Sequence, residues 1–210
     1  MENLSEIYAL LNSKNEANVQ LGLTVWSGID KASYDTFVSE WQAWADVNKI
    51  SLAKYLAEYG MFVASCWYCG LTTIPPVPNG TKVLNCRSNQ LTELPTLPKS
   101  LIELYCWDNQ IAQLPTLPAS LVKLSCWDNQ IAQLPTLPAS LVKLLCWDNQ
   151  IAQLPTLPAS LVKLSCGGNQ IAEIPTLPAS LVELDCSDNR LTAKPTVPDG
   201  CYLYYGQQRA

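Results

Sequence analysis

The chain has 210 residues, of which 48% are hydrophobic and 15% charged, a composition typical of a folded protein rather than a disordered segment. The net charge of −5 comes without a cluster of basic residues, and no apolar run approaches the ~20 residues that span a bilayer, so neither nucleic acid nor a membrane is an expected partner. Because the sequence contains no histidine, nucleophilic sites and metal sites that use imidazole are excluded.

The N-terminus, MENLSE, lacks the basic region and the apolar stretch of a signal peptide. We therefore predict a soluble, cytoplasmic protein. Delivery by a route that needs no signal peptide is left open by this prediction.

Residues 1–60 contain no proline and are predicted to form an α-helical N-terminal cap. Apolar residues recur at helical spacing in residues 4–11 and 19–26. Ser51 is a good N-cap residue and Gly60 a good C-terminal stop, so these two bound a further helix. Another helix is predicted between residues 26 and 51, because these residues lie on one apolar face: Tyr34, Phe37, Val38, Trp41 and Trp44.

The tryptophans of this N-terminal segment are at helical spacing, which is typical of packing residues rather than of a ligand site. The interpretation applies to Trp26, Trp41 and Trp44. A separate docking role for the segment remains an alternative.

Cys66 and Cys69 have the C-x-x-C spacing of redox and zinc sites. No second pair supplies the remaining ligands of a zinc site, and no βαβ context supports a redox motif. We favour a structural role over a metal or redox role.

From Leu71 onward the sequence repeats every 20 residues. Each unit contains an LPTLP-like half, whose prolines are incompatible with a regular helix, and an LxxLxC half that alternates apolar and outward residues as a short strand does. One strand and one extended return per unit predict a coil. Stacked coils form a solenoid with a parallel sheet.

The leucine-rich repeat pattern LxxLxLxxNxL is matched by Leu101, Leu104, Cys106, Asn109 and Ile111. The following LPxLPxSL resembles the short bacterial repeats of the IpaH and YopM type effectors. The resemblance covers residues 61–205 as about seven units, with 206–210 as a tail, and implies a curved solenoid with its sheet on the concave face and an extended or polyproline convex side. Two departures limit the transfer of an activity from this family. Only a short tail follows Asp188, whereas the ubiquitin-ligase members carry a large catalytic domain after their repeats, and residues 1–60 do not match the effectors' secretion and helical-hairpin region.

Two columns of the repeat have structural explanations. A buried asparagine amide after each strand is predicted to hydrogen-bond to backbone groups of its own coil and of adjacent coils. This column consists of Asn89, Asn109, Asn129, Asn149, Asn169 and Asn189. A cysteine lies two residues after each inward leucine, so it also points into the core, and it is predicted to be reduced. This column consists of Cys86, Cys106, Cys126, Cys146, Cys166 and Cys186.

The last repeat is degenerate. Its strand is predicted to carry aromatic residues that close the stack, within the segment Cys201, Tyr202, Leu203, Tyr204 and Tyr205.

One outward column contains a tryptophan in three successive units, which predicts an exposed stack of indoles: Trp107, Trp127 and Trp147. Two charged columns flank it, namely Asp108, Asp128 and Asp148 on one side and Lys123, Lys143 and Lys163 on the other. Like charges on neighbouring strands are destabilising. Recognition of a partner would explain why the three columns are kept. The alternative is that gene duplication copied one repeat unit whose charges do not prevent folding.

A further outward column varies while the rest of the unit is constant: Asn85, Tyr105, Ser125, Leu145, Ser165 and Asp185. Variation at one outward position is typical of an interaction surface, with Tyr105 and Leu145 as its anchors. The units differ at few positions, so the alternative is that their differences lie in one column by chance.

The preferred prediction is a non-enzymatic scaffold that binds a protein or peptide on its concave face. The predicted contacts are Tyr105, Trp107, Trp127, Leu145 and Trp147, with the Asp and Lys columns at the rim. The alternative is a purely structural or consensus-type scaffold, or a module that self-associates through its tryptophans. No nucleophile and base, phosphate loop or metal-ligand set is recognisable, so neither an enzymatic activity nor a cofactor is predicted.

Overall fold

The computed structural model describes residues 9–11, 13–29, 31–60 and 62–208. Residues 9–11 are helical, and the described chain continues with helices α1 (Glu16–Ile29), α2 (Lys31–Val47) and α3 (Leu52–Tyr59). Three-residue strands follow: β1 (Val63–Ser65), β2 (Val83–Asn85), β3 (Glu103–Tyr105), β4 (Lys123–Ser125), β5 (Lys143–Leu145), β6 (Lys163–Ser165), β7 (Glu183–Asp185) and β8 (Tyr202–Tyr204).

The eight strands form one parallel sheet in chain order. Each strand pairs with the equivalent residues of the next unit, as Leu124 does with Leu144. The proline-bearing halves return between strands without forming a helix. These features confirm the leucine-rich repeat solenoid with an extended convex side.

The inward columns are buried as predicted. Leu124, Leu144 and Cys126 are fully buried, and so are the equivalent residues of neighbouring coils. In the asparagine column, the Asn149 Nδ2 atom donates to the carbonyls of Cys126 and Cys146 at 3.0 and 3.2 Å. Its Oδ1 atom accepts from the Ile131 N–H group at 2.9 Å. The column therefore joins adjacent coils through otherwise unpaired backbone groups.

The bounds of helix α3 match the sequence prediction. The Ser51 hydroxyl accepts a hydrogen bond from the Lys54 N–H group, and the Gly60 N–H group donates to the Leu56 carbonyl. Trp41 and Trp44 are buried in the helical packing. Residues 1–8 and the side chains of Trp26 and Tyr34 lie outside the described residues.

Helices α2 and α3 hydrogen-bond to the first coil of the solenoid. The Tyr55 hydroxyl accepts from the Ser65 N–H group at 2.7 Å and donates to the Val63 carbonyl at 3.0 Å. Asn48 Nδ2 donates to the Ser65 carbonyl at 2.7 Å, and Trp44 Nε1 donates to the Pro76 carbonyl at 3.1 Å. Tyr55 and Asn48 supply partners that a preceding strand would otherwise give to β1, whereas Trp44 binds the extended segment that follows β1.

We expect Tyr55→Phe to lower the free energy of unfolding by about 2 kcal/mol, because the buried Ser65 N–H group would lose its partner. Urea denaturation measures the change. Tyr68→Phe, which alters a hydroxyl on a side chain that is 79% exposed, is the matched control and should have almost no effect. Equal stabilities of the two variants would contradict this role for Tyr55.

The C-terminal strand corrects one prediction. Tyr202 and Tyr204 do not close the core, because strand alternation directs them outward, and they are 70% and 58% exposed. Leu203 and Tyr205 pack on the core instead. Gln208, in the segment predicted to be a tail, continues the asparagine column, since its Oε1 atom accepts from the Leu191 N–H group and its Nε2 atom donates to the Cys186 carbonyl.

A search of the helices in the described ranges finds none that is both long and apolar enough to cross a membrane.

Candidate protein-binding surface

The three predicted tryptophans form a continuous stack, called here the indole stack: Trp107, Trp127 and Trp147. The ring centroids of both neighbouring pairs are 4.2 Å apart, with interplanar angles of 12° and 10°. Parallel pairing places equivalent residues of successive strands side by side at about 4.8 Å, so identical flat side chains stack. All three side chains are half-buried, which leaves part of each ring accessible.

The repeat places Arg87 in the same outward column as the indoles, but sequence reasoning missed that Arg87 extends the stack to Trp67. The guanidinium carbon of Arg87 lies 4.9 Å from the Trp67 ring centroid and 5.3 Å from that of Trp107. Arg87 thus takes the place of an indole and links Trp67 to the row. The signal in the sequence is the position of Trp67, which lies two repeats before Trp107 and therefore belongs to the same column.

The indole stack ends at Trp147 because the next unit has Gly167 at the equivalent position. A Cβ atom on Gly167 would lie 3.0 Å from Ser187 Oγ and 3.3 Å from Asp185 Oδ1. These contacts are tight, so Ser187 and Asp185 restrict the room for a fourth indole.

The lysine column lies along the first residues of β4, β5 and β6. Lys123 Nζ donates to the Tyr105 hydroxyl at 2.8 Å, and that hydroxyl donates to Glu103 in a short hydrogen bond. Lys163 Nζ lies 2.6 Å from Glu183 Oε1. Lys143 lies between these two lysines, and its Nζ atom has no hydrogen bond or ion pair with any residue the structure describes. Desolvation, together with the charges of Lys123 and Lys163, lowers the pKa of Lys143.

We expect Lys143→Gln to raise the free energy of unfolding at pH 7 by about 0.5 kcal/mol, because the substitution removes a repelled charge. A lowered pKa means that the folded protein releases this proton first. The gain should therefore shrink as the pH rises through the pKa of Lys143. Urea denaturation at neutral and alkaline pH measures it, with Lys163→Gln as the paired-lysine control, which should not be stabilising. A loss of stability in Lys143→Gln would contradict the expectation.

The aspartate column has a backbone explanation that the sequence analysis did not give. Asp108, Asp128 and Asp148 have φ angles of 56°, 53° and 49°, in the left-handed region. Aspartate tolerates this conformation better than most residues, because its short side chain can hydrogen-bond locally. The three residues lie immediately after the indoles, at the exposed rim of the same face.

The variable column divides into covered and accessible residues. Ser125 and Ser165, which pair with Leu145 on either side, are only 3% and 8% exposed. Leu145 and Tyr105 are half-buried and remain accessible. The predicted anchors and the two charged columns therefore lie on strands β3 to β6 or the turns that follow, around the indole stack.

The C-x-x-C pair is placed in the two structural columns. Cys66 is fully buried and Cys69 half-buried, and both are free thiols. Asn89 Oδ1 accepts the asparagine-column bond from the Leu71 N–H group at 3.0 Å, and it also accepts from the Cys69 N–H group at 3.0 Å. Within the described ranges, no group of three or more Cys, Asp or Glu side chains could hold a metal ion.

We expect iodoacetamide at pH 8.5 to modify Cys69 and Cys201 first, because these two thiols are half-buried whereas the others are buried. Burial raises the pKa of Cys86 and of Cys126 to about 12, and the reactive thiolate is correspondingly scarce. Mass spectrometry locates the labels, and all nine cysteines should react in denaturant. Early labelling of Cys126 in the native protein would contradict the burial of the column.

A parallel solenoid of 20-residue units with these leucine and asparagine columns defines a leucine-rich repeat protein. YopM from Yersinia enterocolitica WA-314 is 32% identical, with a TM-score of 0.57 over 66% of this chain and 36% of that one. A Shigella effector LRR domain is 30% identical, with a TM-score of 0.61 over 77% of this chain and 69% of that domain. YopM from Yersinia pestis is 22% identical, with a TM-score of 0.63 over 82% of this chain and 60% of that one.

The chain belongs to the bacterial leucine-rich repeat proteins of the YopM and IpaH type. It spans 36% and 60% of the two YopM chains. The sequence matches no protein-family model and no curated protein. Repeat solenoids present extended concave surfaces for binding, and the fold is in general a scaffold for protein interactions.

Proposed function

We propose that this scaffold binds a protein or peptide on its concave face, with the indole stack at the centre of the contact. The observation that carries the proposal is the row of three parallel indoles that remain half-exposed. Tryptophan is enriched among the residues that dominate binding energy, because it buries a large rigid area at little entropic cost. A row of such rings offers one continuous apolar strip to a partner.

The charges beside the stack support the same proposal. Lys143 has no bonding partner among the described residues, and desolvation together with the charges of Lys123 and Lys163 lowers its pKa. A carboxylate of a partner would relieve this repulsion. Tyr105 and Leu145, both half-buried on the same strands, would extend the contact beyond the indoles.

In this proposal residues 1–60 cap the solenoid and residues 61–205 form the binding body. Of the short segment 206–210, Gln208 extends the asparagine column. The hydrogen bonds from Tyr55 and Asn48 to the first strand support the capping role. The protein has no catalytic role in this proposal.

Affinity capture from the native source tests the proposal. Wild type, Trp127→Ala and Thr136→Ala are immobilised in parallel, the last being an exposed position on the convex side of the neighbouring coil. Proteins retained by wild type and by Thr136→Ala should be lost from Trp127→Ala. Retention of the same proteins by all three would contradict the proposal.

Self-association through the indoles is the alternative outcome. Sedimentation measurements on wild type and Trp127→Ala distinguish it. A concentration-dependent oligomer that only the wild type forms would indicate an assembly module in place of a partner-binding scaffold.

A further inference from the structure

The last ring of the indole stack has one face that nothing aromatic covers. Trp147 stacks on Trp127 with one face, and no ring of the described residues stacks on the other. The next unit has Gly167 at the stacking position, so that position carries no side chain. This open position beside Trp147, with Asp185 close to Gly167, is called here the Trp147 notch.

A carboxylate lies at the far side of the Trp147 notch. Asp185 Oδ1 would be 3.3 Å from a Cβ atom on Gly167. The same oxygen accepts from the Ser187 N–H group at 3.1 Å and from Ser187 Oγ at 2.6 Å, and Oδ2 accepts from Ser165 Oγ at 3.3 Å. The Asp185 carboxylate is therefore held in place before any ligand arrives.

The surroundings of the notch are acidic. A Cβ atom on Gly168 would be 2.0 Å from Asp148 Oδ1, so the Asp148 carboxylate lies against Gly168. Asp188 is exposed on the following turn. Lys163, on the strand that precedes Gly167, is paired with Glu183. The charge of this region therefore suits a cation.

The opposite end of the row shows which cation fits. There the guanidinium group of Arg87 lies over Trp107 at 5.3 Å and over Trp67 at 4.9 Å. A guanidinium group is flat, so it continues a row of rings, and its N–H groups pair with a carboxylate at the same time. An ammonium group lacks this flat shape.

We propose that the Trp147 notch binds an arginine side chain of the partner, with its guanidinium group stacked on Trp147 and paired with Asp185. This assignment rests on the proposed function, since the notch is part of the concave binding surface. It specifies a protein or peptide partner that presents an arginine next to the apolar residues covering the indoles.

Titration with small probes tests the assignment on the full chain. The probe is Nα-acetyl-arginine N-methylamide, and the lysine, citrulline and tyrosine derivatives are compared with it. The measured signals are the Trp147 indole N–H and the Gly167 and Gly168 amides in ¹⁵N NMR spectra. Arginine should shift these signals saturably, and uncharged citrulline should bind about tenfold more weakly.

Asp185→Asn should remove most of the arginine response, whereas Asp199→Asn, an exposed acid on a convex turn, should preserve it. No saturable shift, equal shifts from citrulline, or tighter binding of the tyrosine probe would overturn the assignment. Capture from the native source separates this proposal from the broader one. Full retention of the partner by Asp185→Asn, together with its loss from Trp127→Ala, would overturn the arginine assignment and leave the binding scaffold intact.

Discussion

Replacing Asn149 by alanine is expected to lower the free energy of unfolding by about 3 kcal/mol. The Asn149 side chain donates to the carbonyls of Cys126, Cys146 and Trp147 and accepts from the Ile131 N–H group. Asn149 is buried, so water does not replace these bonds without rearrangement. The loss should exceed that of an ordinary surface substitution, which is within about 0.5 kcal/mol.

Urea denaturation followed by circular dichroism measures this change. Gln150→Ala is the matched control. Gln150 is the next residue in the chain, its side chain is exposed, and only its backbone N–H group bonds to the adjacent coil. Gln150→Ala should unfold like the wild type. If Asn149→Ala lost less than about 1 kcal/mol, the column would not be the main link between coils.

Replacing Trp127 by alanine is expected to weaken partner binding by at least about 30-fold, equivalent to about 2 kcal/mol. Trp127 is the middle ring and stacks on both neighbours, so its removal divides the apolar strip into two separate rings. The fold should lose only about 1 to 2 kcal/mol, since the indole is half-exposed and the lost stacking is modest.

Titration calorimetry with the captured partner measures the affinity change. Ile131→Val is the control for stability, because it removes one core methylene at a cost of about 1 kcal/mol without changing the concave face. This control should bind the partner like the wild type. If Ile131→Val and Trp127→Ala weakened binding equally, the effect would come from stability rather than from contact with the indoles.

The parts of the fold that follow from periodicity were predictable from the sequence. A 20-residue repeat brings Asn149 beside Asn129 and Cys146 beside Cys126 whatever the details of the coil. The same register places the indoles side by side. Ser51 and Gly60 bound the last helix because capping depends on local chemistry.

The remaining features depend on side-chain placement in three dimensions. The insertion of Arg87 between two indoles depends on the direction of its long side chain, which the sequence repeat does not determine. The pairing of Lys123 through Tyr105, and of Lys163 with Glu183, leaves Lys143 as the lysine between them. In the last unit Leu184 pairs with Leu203, so the register is one residue shorter than the 20-residue repeat. This shift makes Leu203 the inward residue and directs Tyr202 and Tyr204 outward.

We expect the indole stack to lie inside the contact with a partner. Hydroxyl-radical footprinting of the captured complex tests it directly, because the oxidation of Trp107, Trp127 and Trp147 reports how accessible each ring is. We predict that all three become protected in the complex while Tyr68, which is 79% exposed, stays reactive. Unchanged oxidation of the three indoles, with protection of the convex Pro–Thr segments or the helices, would contradict the claim.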